Sequence, residues 1–391
     1  MSLTACFVTR DEERTLEQAL NSIVPIADQV IIADTGSRDR TVAIAARFGA
    51  LVHPFYWEDD FSTARNFALR QATTDWVFWI NPNETLPVAA YPHLRECLCR
   101  TDAFAYSVVV QNQVQADRPD AFTETWDYRL FRRHPDVQYG GRLHPNFVTP
   151  LAALAAKDGK KVYASGLTLR HHGYTSELNE GKLRWAVRLL ERELKDRPGQ
   201  LSYLIEYGRT LLRLNDPKGH VVLAEAVVQV LPVCQAPSAP NPQVQSLLEY
   251  LLTVSHEQSR SRLKKEEARD LALRWFPSSP PLLWTVAADW FKRGDYGQAA
   301  QLLERLVALG QSNAYDKSEA FDPRIIGEDA VMNLGACYWR LNDLPKAEAC
   351  FRRLLVSRTF QDQAKKNLAL VRNTQQQPET SFYSAFLGGG E

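Results

Sequence analysis

The sequence predicts an α/β domain in the N-terminal part of the chain, followed by an all-helical region. Strand-like and helix-like segments alternate up to about residue 80, which is typical of a parallel sheet with helices on both faces. From about Gly181 onward the strand pattern stops and only helical periodicity remains. A chain of 391 residues is also long enough for two domains.

The alternation begins with three predicted strands, at residues 3–9, 29–33 and 50–53. Between them, apolar residues recur at the i, i+3, i+4, i+7 spacing of amphipathic helices. The first helical stripe consists of Leu16, Ala19, Leu20 and Ile23, and the second of Thr41, Ile44, Ala45 and Phe48. Gly49 follows the second stripe, where a glycine commonly ends a helix.

The segment 57–84 holds the next polar loop, helix and strand. Asp59 and Asp60 stand where a side chain can cap a helix start, and the helix then carries Arg65 and Asn66 in its first turn. The apolar run 76–80 predicts a strand buried on both faces. Ligands bind at the carboxyl ends of strands in open α/β sheets, so residues 81–84 are where we expect chemistry.

The region after residue 100 changes character. Further strand-like runs lie at 103–110, 124–131, 138–148 and 160–170. The β-rich character of this region favours mixed or antiparallel pairing. We expect these strands to complete the sheet and to form the second wall of a cleft.

The helical region contains a repeated spacing. A small residue is followed seven positions later by a turn residue, in the pairs Gly208 and Asn215, Ala287 and Gly294, and Gly335 and Asn342. In the last two units an alanine follows twelve positions after the small residue. The pattern resembles the tetratricopeptide repeat, with an insertion at 311–324 and a lengthened first turn at 217–220. A generic helical bundle remains the alternative.

Composition limits the possible functions. The formal net charge of +0 predicts no nucleic-acid partner. The six cysteines form no C-x-x-C pair and are expected to be reduced. No apolar stretch reaches the length of a membrane helix, and the N-terminal run is too short for a signal peptide. A cytoplasmic protein is therefore expected.

Four motifs occur in order along the first 175 or so residues. Residues 34–41 are DTGSRDRT, residues 60–66 are DFSTARN, residues 129–132 are RLFR and residues 171–174 are HHGY. Together they resemble family 2 glycosyltransferases of the GT-A type, in the subgroup that couples a short catalytic domain to tetratricopeptide repeats. The resemblance implies a Rossmann-like GT-A domain at 1–180, a repeat domain at 181–375 and a flexible tail at 376–391.

The resemblance also implies a nucleotide-sugar site. Asp34 can accept hydrogen bonds from a base or ribose, although it could instead shape a turn. Arg65 supplies a cation for the diphosphate, unless it pairs with Glu58, Asp59 or Asp60. The full set of expected donor-binding residues is Thr9, Arg10, Glu12, Asp34, Asp60, Arg65, Asn66 and Asn81.

Three positions depart from the family pattern. Asp11 stands where the family usually has Asn, and His144-Pro145 stands in place of His-Glu. At 81–84 the chain has Asn-Pro-Asn-Glu where the family has Asp-Ala-Asp-Glu, whose aspartates hold the divalent metal. We therefore expect Mn²⁺ or Mg²⁺ binding to be weak or absent, with Asn83 and His171 as the remaining metal ligands.

The expected function is the transfer of a sugar from a nucleotide-diphosphate donor, a UDP-sugar by resemblance, to a protein or glycan acceptor with inversion. Asp127 and His144 are the candidate general bases, and Glu124 is a third. The alternative is a catalytically degenerate protein whose helical repeats bind a protein partner.

Overall fold

The computed structural model describes residues 1–113, 122–172 and 180–373. The chain folds into two compact units, Met1–Tyr203 and the residues from Leu204 onward. The expected domain limit near residue 180 remains a prediction, and helix 180–196 is grouped with the first unit. Gly173 and Tyr174 of the HHGY motif and the tail 376–391 lie outside the described residues.

The first unit contains an eight-stranded mixed sheet. Its strands are β1 (Leu3–Thr9), β2 (Gln29–Asp34), β3 (Leu51–Pro54), β4 (Trp76–Trp79), β5 (Glu84–Thr85), β6 (Ala103–Gln113), β7 (Phe122–Arg132) and β10 (Lys161–His171). The strands β8 (Tyr139–Gly140) and β9 (Asn146–Phe147) form a separate two-stranded ribbon. The strand order is β3-β2-β1-β4-β7-β6-β10-β5. β7 runs antiparallel to β4 and β6, as the change of sequence character after residue 100 predicts.

Helices pack against both faces of this sheet. They are α1 (Leu16–Ile23), α2 (Thr41–Arg47), α3 (Phe61–Gln71), α4 (Tyr91–Cys99) and α5 (Leu151–Lys157), with a 3₁₀ turn at Val88–Ala90. A further helix of this unit, α6 (Glu180–Asp196), follows β10 in the chain. The first predicted helical stripe is buried in full. In the second stripe Phe48 lies just beyond the helix end and is only partly buried.

β4 confirms the prediction of a strand buried on both faces. Trp76 and Phe78 belong to one apolar cluster, and Val77 and Trp79 to the other. All four side chains are almost completely buried. Because successive side chains of a strand point to opposite faces, this short segment contributes to both cores of the domain.

The second unit is helical throughout its described residues. After α7 (Leu201–Arg213), which begins at the end of the first unit, its helices are α8 (Lys218–Val230), α9 (Val244–Thr253), α10 (His256–Ser259), α11 (Lys265–Trp275), α12 (Pro280–Lys292), α13 (Tyr296–Ser312), α14 (Glu328–Arg340), α15 (Leu344–Arg353) and α16 (Gln361–Asn373). Short 3₁₀ turns lie at Leu231–Val233, Pro323–Ile326 and Leu354–Val356. The predicted fold class, an α/β domain followed by helical repeats, is confirmed.

The repeated spacing has a backbone explanation. Asn215, Gly294 and Asn342 all adopt the left-handed conformation, with φ of 58°, 80° and 59°. Glycine and asparagine enter this region at low cost, and each residue lies in the turn between two helices. The small residue seven positions earlier then faces the returning helix. A Cβ on Gly335 would lie 2.6 Å from the ring of Phe351 on α15.

Two further observations concern the whole described chain. Its six cysteines are free thiols, as expected. Within the described ranges, every helix is too short or too polar to span a bilayer.

We predict that Gly335→Ala destabilises the helical unit by about 1–3 kcal/mol, because the added methyl overpacks against Phe351. Gly297→Ala in α13 is the matched control, since a Cβ there meets only Asp295 Oδ1 at 3.7 Å. The midpoint of urea unfolding measures both changes. Equal midpoints for the two variants would contradict the close helix packing.

Candidate functional site

The carboxylate of Asp34, at the end of β2, organises the following turn. Its oxygens accept hydrogen bonds from Thr9 Oγ1 (3.1 Å), from the backbone N–H of Gly36 (3.2 Å) and from Ser37, through both its N–H (3.0 Å) and its hydroxyl (2.5 Å). Asp34 is only 7% exposed. In the structure, the Asp34 carboxylate therefore shapes the turn, which was the alternative to nucleotide binding in the sequence analysis.

The loops that follow β1 and β2 are joined to each other. The backbone N–H of Asp11 donates to Ser37 Oγ (3.0 Å), and that of Arg38 donates to Asp11 Oδ1 (2.7 Å). The N–H of Glu12 donates to Thr41 Oγ1 (2.7 Å). Asp11 has a φ of 54°, a region that Asn and Asp tolerate better than other non-glycine residues. Asp11 is therefore a residue type suited to this backbone conformation.

Arg10 and Glu12 differ in their surroundings. The side chain of Arg10 is exposed, whereas Glu12 is partly buried and accepts a hydrogen bond from Thr15 Oγ1 (2.8 Å). Burial raises the pKa of Glu12, which Lys182 of α6 opposes electrostatically. Of these two expected ligand-binding residues, Arg10 is the one with its side chain toward solvent.

α3 carries two residues whose roles are structural in this arrangement. Asp60 caps the helix, with Oδ1 accepting from the N–H groups of Ser62 (2.8 Å) and Thr63 (3.3 Å). Asn66 makes two bonds to the backbone of Tyr139: its Nδ2 donates to the carbonyl, and its Oδ1 accepts from the N–H, both at 2.8 Å. Asn66 therefore fixes strand β8 onto α3.

Arg65 lies between two aromatic rings. α3 begins at Phe61, so Arg65 is just past the first turn and the expected first-turn placement is wrong. Its guanidinium carbon is 4.8 Å from the ring centre of Trp79 and 5.0 Å from that of Tyr139, which is cation–π geometry. Burial lowers its pKa.

The ion pairs considered for Arg65 in the sequence analysis are not formed. Asp59 pairs with Arg192 of α6, and Asp60 caps α3. Within the described part of the chain, the guanidinium of Arg65 makes no hydrogen bond or ion pair. Its positive charge remains available to an anionic ligand.

The turn after β4 is built around Glu84, which is fully buried. Its carboxylate accepts hydrogen bonds from the backbone N–H and the Nδ2 of Asn81, both at 2.8 Å. It also accepts from Arg129 Nη2 at 3.2 Å. Arg129 Nε lies 2.9 Å from Asp127 Oδ2, an ion pair without the alignment of a hydrogen bond. Burial opposes the charge of Arg129, but Glu84 and Asp127 outweigh it and raise its pKa.

Sequence reasoning missed the pairing of Glu84 with Arg129. The signal was present in the RLFR motif, where an arginine stands beside Leu130 and Phe131, both fully buried. A charged side chain at such a strand position requires a partner, because a buried charge without one is costly.

The two expected metal ligands lie on neighbouring segments. The carbonyl of Asn83 accepts a hydrogen bond from the N–H of His172 (2.9 Å), and His171 is paired with Glu84 in the β10–β5 register. Burial lowers the pKa of His171 and so favours its neutral form. Among the described residues, no three His, Cys, Asp or Glu side chains are grouped to hold a metal ion.

The candidate bases occupy different positions. The side chain of Asp127 is 50% exposed and belongs to the Glu84–Arg129 cluster. His144 is exposed, has a φ of 51° and lies in the loop between β8 and β9. Glu124, further along β7, accepts a hydrogen bond from Gln111 Nε2 (3.1 Å). Only Asp127 joins the charged cluster at the strand end.

The His144 loop is held by α6, a contact the sequence did not indicate. Glu193 of α6 is fully buried and accepts from the N–H of Arg142 at 3.2 Å. The guanidinium of Arg142 forms an ion pair with Asp196 at 2.6 Å. The backbone carbonyl of Arg142 accepts a hydrogen bond from the N–H of Phe61 at 3.0 Å. One residue of this loop therefore connects α6 with the start of α3.

We predict that Asn66→Ala destabilises the first unit by about 1–3 kcal/mol, since it leaves two backbone groups of Tyr139 without partners. Arg70→Ala, at an exposed position of the same helix, is the control and should change stability little. Urea unfolding followed by tryptophan fluorescence measures both. An Asn66→Ala protein as stable as the control would contradict the assigned role.

Comparison with known proteins agrees with the sequence motifs. Residues 4–145 match the model of the family described as Glycosyl transferase family 2. A TPR repeat-containing protein of Synechococcus elongatus is 32% identical over 220 residues, which is 55% of this chain and 54% of that protein. The SPbeta prophage-derived glycosyltransferase SunS of Bacillus subtilis is 24% identical over 214 residues, 54% of this chain and 49% of SunS. The chain thus spans about half the length of these relatives, and the predicted resemblance is confirmed.

Solved structures with detectable similarity include two further glycosyl-transfer enzymes by name. The mannosyltransferase PcManGT from Pyrobaculum calidifontis, in complex with GDP-Man and Mn²⁺, has a TM-score of 0.35 at 15% identity, covering 69% of this chain and 86% of that one. Glucosyl-3-phosphoglycerate synthase from Mycobacterium tuberculosis, with Mn²⁺ and UDP, has a TM-score of 0.32 at 16% identity, covering 49% and 80%.

Proposed function

We propose that the chain transfers a sugar from a nucleotide-diphosphate donor, first of all a UDP-sugar, to a protein or glycan acceptor, because residues 4–145 match the model of glycosyl transferase family 2. The observation that carries this proposal is the guanidinium of Arg65. It is stacked on Trp79 and Tyr139 and forms no ion pair with the described residues. A fixed cation of this kind suits the diphosphate of a donor.

In the proposed reaction, the acceptor oxygen or nitrogen attacks the anomeric carbon of the sugar as it loses its proton. The bond from that carbon to the diphosphate breaks in the same displacement, which inverts the anomeric configuration. Asp127 is the proposed base: its side chain is half exposed, and its Oδ2 lies 2.9 Å from Arg129 Nε. Arg65 stabilises the negative charge that develops on the departing diphosphate.

The residues at the ends of β1 and β2 serve the donor by shaping its binding loops. Asp34 and Thr9 fix the turn at 35–37. The hydrogen bonds between the loops after β1 and β2 restrict the conformations of both loops. We propose that the nucleoside binds against this rigid edge, and that the exposed side chain of Arg10 contacts it. Preorganised loops lower the entropy cost of binding.

A second candidate function is favoured by the strand end itself. Both positions expected to carry metal-binding aspartates are amides, and the Glu84 carboxylate is already paired with Arg129. A protein that binds nucleotide without turnover, and uses its helical repeats to bind a protein partner, is consistent with this arrangement.

We predict that Arg65→Ala weakens UDP binding by about 1.5–3 kcal/mol, the usual contribution of a hydrogen bond to a charged group. Calorimetry on the full chain measures the affinity, and Arg70→Ala of the same helix serves as the control. An unchanged dissociation constant in a folded Arg65→Ala protein would rule out this diphosphate site.

We predict that Asp127→Asn lowers the release of UDP from a UDP-sugar by about 100-fold or more, because a positioned general base contributes at least that factor. Its affinity for UDP should stay unchanged. His144→Asn, tested beside it, should retain most of the turnover. Nucleotide binding without turnover by the unmodified protein, across a panel of donors and acceptors, would support the non-catalytic function.

A further inference from the structure

The family resemblance implies a divalent cation at positions 81 and 83, and the side chains there allow that expectation to be tested. The side-chain amide of Asn81 donates a hydrogen bond to Glu84 Oε1 at 2.8 Å, and the backbone N–H of Asn81 donates to Glu84 Oε2 at 2.8 Å. The side chain of Glu84 is completely buried. Both of its oxygens are therefore already used by hydrogen-bond donors within the same turn.

Arg129 completes the coordination of this carboxylate. Its Nη2 lies 3.2 Å from Glu84 Oε1, and its Nη1 lies 3.5 Å from Oε2, a two-pronged approach to one carboxylate. Its Nε is 2.9 Å from Asp127 Oδ2. The two carboxylates that the structure places at this strand end thus share one guanidinium, which is itself buried.

These residues do not fit a divalent cation. Mn²⁺ and Mg²⁺ require oxygen ligands with free lone pairs and negative charge to offset their own. Glu84 offers neither, because its charge is neutralised by Arg129 and its oxygens are occupied. A cation placed against it would also meet the fixed positive charge of a guanidinium that cannot lose its proton.

We propose that Arg129 supplies, against Glu84, the positive charge that the implied cation at positions 81 and 83 would bring, and that the donor diphosphate binds without a metal ion, with Arg65 as its cation. This inference rests on the proposed function, since it concerns the same donor. The two arginines have different tasks. Arg129 neutralises the buried carboxylate and fixes the turn, while Arg65 keeps its charge free for the ligand.

Two features make the arrangement self-consistent. Trp79, whose ring contacts the guanidinium of Arg65, is only 1% exposed. The guanidinium is therefore held against a buried, rigid side chain. The pairing of His171 with Glu84 in the β10–β5 register holds the turn from its other side. Charge compensation is therefore built into the protein and does not depend on an exchangeable ion.

The first experiment compares nucleotide binding with and without metal. Calorimetry on the full chain, using UDP, GDP and dTDP in turn, is run in excess EDTA and again with Mn²⁺. We expect binding in EDTA, with an affinity that Mn²⁺ changes by less than about tenfold, or 1.4 kcal/mol. Binding that appears only with Mn²⁺ would overturn the inference and leave the proposed function intact. The absence of binding in both conditions would instead count against the proposed function.

The second experiment removes Arg129 and follows stability rather than activity. Arg129→Gln leaves Glu84 buried without its cation, so the variant should melt at a lower temperature, and Mn²⁺ should restore part of the loss. The same Mn²⁺ addition should not change the melting temperature of the unmodified chain or of Arg70→Ala. A folded variant that Mn²⁺ does not stabilise would refute the replacement. If the variant fails to fold, the calorimetry on the unmodified chain decides the question by itself.

Discussion

The buried pair of Glu84 and Arg129 is the interaction on which this end of the sheet depends. Taking two charges out of water is costly, and the cost is recovered only when both are fully hydrogen-bonded. Glu84 meets that requirement with donors from Asn81 and Arg129. The pair thereby fixes the turn after β4, joins it to β7 and sets β5 against β10. Removing Arg129 would leave the charge of Glu84 inside the sheet without a cation.

Polar residues at the strand ends mostly hold one another, and this determines which of them are free for a ligand. Asp34 is used by the turn that follows it, and Asp11 and Glu12 connect two loops. These hydrogen bonds make the loops after β1 and β2 rigid, and most of the polar groups involved already have partners. The charged groups left to contact a ligand are Arg65, stacked on aromatic rings, and Asp127, which is half exposed although it pairs with Arg129. Few charged side chains at this site are therefore open to a ligand.

The fold was predictable from sequence because its signals are local. Strand and helix periodicity, and the left-handed turn residues Asn215, Gly294 and Asn342, are properties of short segments. The contacts that build the site are not local. Glu84 and Arg129 are 45 residues apart, Asn66 and Tyr139 are 73 apart, and Arg142 and Glu193 are 51 apart. No spacing rule in a single sequence joins such positions, so the sequence indicated candidate residues without indicating their partners.

The segment that matches the family model depends on later residues of the first unit for the structure of its strand ends and loops. It ends at residue 145, yet β5, with Glu84, is paired with β10, which lies beyond it. The loop carrying His144 is held from outside the segment as well, through the contacts of Arg142 with Glu193 and Asp196 of α6. Later parts of the chain thus fix both the charged turn and the loop of one candidate base, His144. The geometry of the site is in this sense a property of the whole first unit, and a change in α6 can alter it without touching any residue of the family motifs.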